Sequence, residues 1–216
     1  MRLIRPIYMQ DYAPGYTLFT RPVAEGFLSD GIIWFEQLDE VVEYEGKLKG
    51  IFPKGKGFSH VISVVDEKTG MEADEKGIHI SNLDDYFKGG KYFVVCREPE
   101  GLNAKAVMEK LVYQRSLLGN PYDFTVYPSF MFNAITRLSS LLSFMRKLPP
   151  LGHIPGARIC SSFEADGFYH TDKYRDIQLF KEWNVLRIHP HRLWKHFPYK
   201  PLRFDKERKG VKLICH

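Results

Sequence analysis

Cysteine is scarce in this chain: Cys96, Cys160 and Cys215 are the three in 216 residues. They are too few and too scattered for a disulfide framework, and an odd number leaves at least one thiol free, so a reducing compartment is expected. No run approaches the roughly 20 apolar residues of a membrane-spanning helix. Met1-Arg2-Leu3-Ile4-Arg5-Pro6 lacks the apolar core of a secretory signal. These absences predict a cytoplasmic protein with no transmembrane segment. Several chemistries lack their motifs as well. There is no Cys-x-x-Cys and no His-Glu-x-x-His, and His189-x-His191 with His196 or His170 is a poor basis for a metal site, so none is expected. Gly55-Lys56-Gly57 has no phosphate loop around it, no dinucleotide fingerprint occurs, and the serine-hydrolase elbow Gly-x-Ser-x-Gly is missing. With no internal repeat, low-complexity tract or evident linker, residues 1–216 are expected to form one domain.

The composition is that of an ordinary soluble protein, 44% hydrophobic and 26% charged, long enough for one sizeable core. The net charge of +5 has a local origin. From Lys195 to His216 there are seven Lys or Arg residues against two acids, and the rest of the chain balances. The basic tail, residues 195–216, carries interleaved aromatics at Trp194, Phe197 and Tyr199 that would suit an anionic surface. A solvated terminal segment with an edge strand at Val211-Lys212-Leu213-Ile214 is the preferred reading, and nucleic acid is an unlikely partner.

Ile159-Cys160-Ser161-Ser162-Phe163-Glu164-Ala165-Asp166 reads as a cysteine at the first turn of a short amphipathic helix. Free N–H groups and the positive end of the helix dipole favour thiolate there, lowering a pKa of about 8.5 in free cysteine. Cys160 is therefore a candidate nucleophile, against the alternative of a buried cysteine that only packs. Phe58-Ser59-His60-Val61-Ile62-Ser63-Val64-Val65 is a strand signal opened by an imidazole. A two-residue period puts His60, Ile62 and Val64 on one face and Val61, Ser63 and Val65 on the other. A turn at Asp66-Glu67-Lys68-Thr69-Gly70 then returns the chain through Met71-Glu72-Ala73, so a hairpin would bring Glu72 back to His60. Nucleophile, base and orienting carboxylate are the three parts of a cysteine-hydrolase site, recognised by geometry and not by chain order.

Four blocks, taken in order, resemble a known group. They are Pro14-Gly15-Tyr16-Thr17-Leu18-Phe19; Ser59-His60-Val61 with Glu72-Ala73 and Asp74-Glu75-Lys76-Gly77-Ile78; Gly119-Asn120-Pro121-Tyr122-Asp123-Phe124; and Cys160-Ser161-Ser162-Phe163. Together they resemble the circularly permuted papain-like proteins of the NlpC type, the YiiX-like family, related in layout to lecithin retinol acyltransferase. Tyr16 stands where that family usually has an acid, and Ser162 and Phe163 where it commonly has Glu and Leu. The histidine preceding the cysteine is the mark of the permuted group. The resemblance covers roughly residues 14 to 168. It implies an α+β, papain-like NlpC-type fold of circularly permuted topology, with an antiparallel sheet packed against helices. It further implies Cys160 as nucleophile, His60 as general base and acid, Glu72 as the third polar residue and no cofactor. Tyr122 matches a family position near the site. Substrate contact, oxyanion help and a core tyrosine with a bonded hydroxyl all remain open for it.

The function so implied is a cysteine hydrolase (amidase, peptidase or thioesterase) or acyltransferase acting on an amide or ester, with lipid-like or acylated peptide substrates as the suggested class. The alternative is a non-catalytic lipid- or peptide-binding protein on the same scaffold. Between the Tyr-Asp element and Cys160, the segment 129–148 repeats Phe132, Ile135, Leu138, Leu141, Leu142 and Met145 at helical spacing. It reads as a helical insertion, serving as a lid, an acyl-binding wall or plain core.

Elsewhere Tyr92–Arg97 reads as a strand, which makes Cys96 a core residue. Asn103 reads as the cap of a helix carrying Ala104, Val107, Met108, Leu111, Val112 and Leu118 on one stripe, stopped by Gly119. Val185-Leu186-Arg187-Ile188 reads as a late strand, followed by a helical turn around Leu193-Trp194. The stretch from Asp30 to Lys49 gives no clear signal.

Overall fold

A computed structural model describes residues 12–22, 58–88, 90–127, 140–150 and 152–200. Among them the fold is mixed α and β. Five strands, β1 (Thr17–Pro22), β2 (His60–Val64), β3 (Thr69–Asp74), β4 (Gly77–Asn82) and β5 (Tyr92–Arg97), form one antiparallel sheet in the order β4-β3-β2-β1-β5. Strand alternation divides the apolar residues between two faces. Leu18, Ile62 and Val64 pack on one side with Leu83 and Phe87, at and after the start of the short helix α1 (Asp84–Phe87). Phe19 and Val61 pack on the other, in a cluster with Cys160, Phe168 and the aromatic residues of the C-terminal segments. Gly77 carries the tight β3–β4 turn at φ +94°, and a Cβ there would stand 2.6 Å from the Asn120 carbonyl oxygen. The same contact is a backbone ladder: Ile78 donates to Asn120, and Gly119 donates back to Ile78.

Helix α2 (Ala104–Ser116) starts as its sequence predicts, the Asn103 Oδ1 accepting the Ala106 N–H at 2.9 Å. Its buried face differs from the expected apolar stripe. Ala106, Lys110, Leu111 and Gln114 are buried, whereas Met108 and Val112 lie exposed. The reason is the neighbour: α2 packs on α3 (Cys160–Tyr169), and that helix offers polar partners on the facing side. Glu164 takes hydrogen bonds from Lys110, Thr17 and Gln114. Helix α3 is not amphipathic, since every residue from Cys160 to Phe168 is buried.

One further expectation is corrected. Val185–Arg187 forms a short 3₁₀ turn, because the Asn184 side chain accepts the Leu186 N–H and Pro190 opens the next helix immediately after. A local cap thus overrides β propensity. The part of the 129–148 insertion that is described, Ser140–Lys147, is also 3₁₀, with Phe144 exposed; the remainder falls outside the described residues.

Helices α4 (Gln178–Glu182) and α5 (Pro190–His196) complete the described fold. The first residues of the basic tail are laced onto the chain beyond β5: Glu100 donates to Pro198, Lys200 donates to Glu98, and Tyr199 is buried. Residues 201–216, with Val211–Ile214 and Cys215, lie outside the described residues, as does the unassigned Asp30–Lys49 stretch. Cys96 is partly buried against the α1-side cluster. No helix among the described residues is long and apolar enough to cross a membrane.

Candidate functional site

The β2–β3 hairpin is set by Asp66, whose Oδ1 accepts the N–H groups of Lys68 and Thr69, each at 2.8 Å. The resulting register pairs Ile62 with Glu72. Cross-strand partners share a face, so Glu72 lies on the His60 side of the sheet. Their side chains meet: His60 Nε2 is hydrogen-bonded to Glu72 Oε2. The carboxylate is 2% exposed and holds two further neighbours. Tyr86 donates its hydroxyl to Oε2 at 2.6 Å, and His79 Nε2 stands 3.7 Å from Oε1.

Cys160 occupies the first helical position of α3, after Ile159 in extended geometry. An isoleucine side chain cannot cap. Ser162 does part of that work from the third helical position, its Oγ accepting the Ile159 N–H at 3.0 Å. Phe163 packs in a cluster with Met71, Ala73 and Ile78. The two positions that depart from the resembled pattern therefore retain a local role, one as a helix-start acceptor and one as core.

Sheet alternation turns His60 to the face of Ile62 and Val64, whereas Cys160 packs in the cluster of Phe19 and Val61 on the other face. They meet at the start of β2, where Cys160 Sγ lies 4.0 Å from the Ser59 carbonyl oxygen and near enough to the imidazole to raise the His60 pKa. Glu72 occupies Nε2, so Nδ1 is the ring nitrogen that the carboxylate leaves open. Cys160 is 2% exposed.

The electrostatics follow from this arrangement. Burial lowers the His60 pKa, but Cys160 and Glu72 outweigh burial and raise it to about 10. Burial raises that of Glu72, and the His60 and Tyr86 hydrogen bonds, with the imidazolium charge, bring it down to about 2. The pair is thus imidazolium and carboxylate at neutral pH. The Tyr86 phenol, pushed up by burial and then by the Glu72 charge, stays a neutral donor.

Tyr122 borders the same region. Its backbone bridges Arg158, two residues before Cys160, and the segment is clamped by Arg158 donating to Pro121 and Asp123 donating to Arg158. Its hydroxyl pairs with that of Tyr127 at 2.6 Å. Burial and then the nearby Cys160 push its phenol well above the usual tyrosine range. The structure therefore brings Cys160, His60, Glu72 and Tyr122 into one neighbourhood.

Sequence reasoning missed Tyr86 and His79, which reach Glu72 from α1 and β4. It also missed the Asp123–His153 contact of 2.5 Å that ties the Tyr-Asp element to the loop before Cys160. None of these has a spacing signal; each depends on how separate segments are brought together. Among the described residues no group of three or more His, Cys, Asp or Glu could hold a metal ion. No protein-family model matches the chain, and no curated protein is significantly similar to it.

Proposed function

We propose that this protein is a cysteine hydrolase or acyltransferase of the permuted papain-like class, attacking the carbonyl of an amide, ester or thioester. The observation that carries the reading is the Glu72–His60 hydrogen bond with the Cys160 sulfur beside it, 4.0 Å from the carbonyl oxygen of Ser59, the residue before His60. The antiparallel sheet, the buried helix headed by the cysteine and the order His before Cys are in keeping with it.

In the proposed cycle Cys160 reacts as a thiolate beside the His60 imidazolium, and its sulfur adds to the carbonyl carbon. The oxyanion is met by N–H groups at the start of α3, including that of Cys160. His60 then protonates the leaving amine, alcohol or thiol as the carbonyl re-forms, giving a thioester on Cys160. Water or an acceptor nucleophile, deprotonated by His60, attacks the thioester, releases the acyl group and regenerates the thiolate beside the imidazolium. Glu72 stabilises the imidazolium throughout. Tyr122 lines the region a substrate would occupy, and a lipid-like or acylated substrate is the class in view.

The test is the rate of iodoacetamide alkylation at each cysteine, from mildly acidic to neutral pH, in the native protein and in His60→Ala. At about pH 5.5 an ordinary thiol near pKa 8.5 is ionised only to roughly one part in a thousand, so an activated Cys160 should outpace Cys96 by about 100-fold or more. The advantage should vanish in His60→Ala. Equal rates at the two cysteines, or a Cys160 rate indifferent to His60, would falsify the reading and send the search to bound lipid.

A further inference from the structure

We infer that Tyr86 is a positioning residue for this site: its hydroxyl pins Glu72 Oε2, so that the carboxylate holds His60 with the free imidazole nitrogen directed at Cys160. The inference rests on the Cys160–His60 reading above and adds a residue to it.

Two donors converge on one carboxylate oxygen, His60 Nε2 and the Tyr86 hydroxyl. The other oxygen has a longer 3.7 Å contact from His79, beyond hydrogen-bond distance, and the Ser81 hydroxyl on β4 also acts on the carboxylate. Tyr86 shares the oxygen that holds His60, and at 2.6 Å it is a close contact that orients Glu72. The phenol itself is held. The Tyr86 backbone N–H donates to the Leu83 carbonyl, the Leu83 N–H donates to the Lys68 carbonyl in the β2–β3 turn, and the ring lies 5.0 Å from that of Tyr92 on β5. The Tyr86 and His60 rings run nearly parallel, 17° apart with centroids 6.2 Å from each other. One side chain thus both donates to the orienting carboxylate and flanks the imidazole it orients.

The titratable groups around Glu72 are His60 from β2, Asp74 on its own strand, His79 from β4 and Tyr86 from α1. Cys160 lies beyond His60 on α3, and Tyr92 beyond Tyr86 on β5. Tyr86 is a donor here that adds no charge. Its loss should loosen the carboxylate without altering the charge balance.

The experiment is Cys160 alkylation in Tyr86→Phe, beside wild type and His60→Ala. At about pH 5.5, where reactivity depends on the imidazolium, the Tyr86→Phe rate should fall about tenfold, the scale of one hydrogen bond to a charged group. At about pH 9.5, where a thiol ionises unaided, it should match wild type within about twofold. A purely structural role would slow both pH values alike, and that result overturns the inference. Unchanged rates at both pH values, with His60→Ala still slow, overturn it too while leaving the Cys160–His60 reading intact. A wild-type rate indifferent to His60 removes both. Should Tyr86→Phe fail to fold, 3-fluorotyrosine at position 86 keeps ring and hydroxyl but donates more strongly. It should move the acid limb of the rate profile to lower pH, and an unmoved limb counts against the role.

Discussion

At the scale of single residues, the His60–Glu72 pair links the site to stability. His60 has its folded pKa raised to about 10, so its contribution is complete below its unfolded value of about 6.5 and is lost as pH rises toward 10. Glu72 has its folded pKa lowered to about 2, so its contribution is complete above its unfolded value of about 4.3 and is lost as pH falls toward 2. Urea midpoints should therefore peak between about pH 4.5 and 6.5. His60→Ala should flatten the alkaline slope and Glu72→Gln the acid one; slopes unchanged in both variants would contradict the assignment. These two residues were legible in the sequence because their meeting is local, requiring only a strand period of two and a short turn. Tyr86 was not, since its approach to Glu72 depends on where α1 docks after β4. Ser162 and Phe163, departures in a motif, proved locally consistent once their helical positions were known.

Among the elements, α3 shows why periodicity misleads. Glu164 and Asp166 look like the solvent face of an amphipathic helix, yet both are buried and paired. Asp166 takes hydrogen bonds from Tyr113 and Arg158. Glu164 and Lys110 form an ion pair, both fully buried, with the Lys110 Nζ also donating to Gly15 and lying 4.0 Å from the Phe168 ring centroid. Burial lowers the Lys110 pKa, and the Glu164 charge opposes that fall. Removing one partner strands the other charge. Lys110→Met should cost about 3–5 kcal/mol in chemical denaturation. Adding Glu164→Gln should recover part of the loss, and a double variant less stable than the single would refute this account. The apolar stripe expected on α2 erred for the same reason. A buried lysine and glutamine serve α3, while Met108 and Val112 face outward.

Over the whole molecule, the clearest long-range tie runs from the last described segment to strand β1. Tyr199 donates its hydroxyl to Thr17 on β1 and packs its ring against Phe19 and Phe197. Arg97 lies 4.9 Å over the ring. Tyr199→Ala should cost about 3–5 kcal/mol, as for other large buried aromatics. A thermal midpoint within a degree or two of wild type would show instead that this segment does not secure the sheet. A reading of residues 195–216 as a solvated tail could not anticipate this, because charge counts describe composition and Tyr199 is placed by partners 100 or more residues away in the chain. The sequence by itself determined the mixed α and β class, the β2–β3 hairpin, strand β5, the Asn103 cap and the juxtaposition of His60 with Glu72. The hairpin, the cap and the His60–Glu72 contact join residues a dozen or fewer apart, and β5 shows in its own run of β-branched and aromatic residues although its partner is β1. Tertiary structure alone decided that α3 is buried on every side, that polar side chains face its partner α2, that Cys160 meets His60 at the start of β2, and that Tyr86 closes on Glu72. Those outcomes depend on which distant surfaces exclude water together, a property that no local pattern carries.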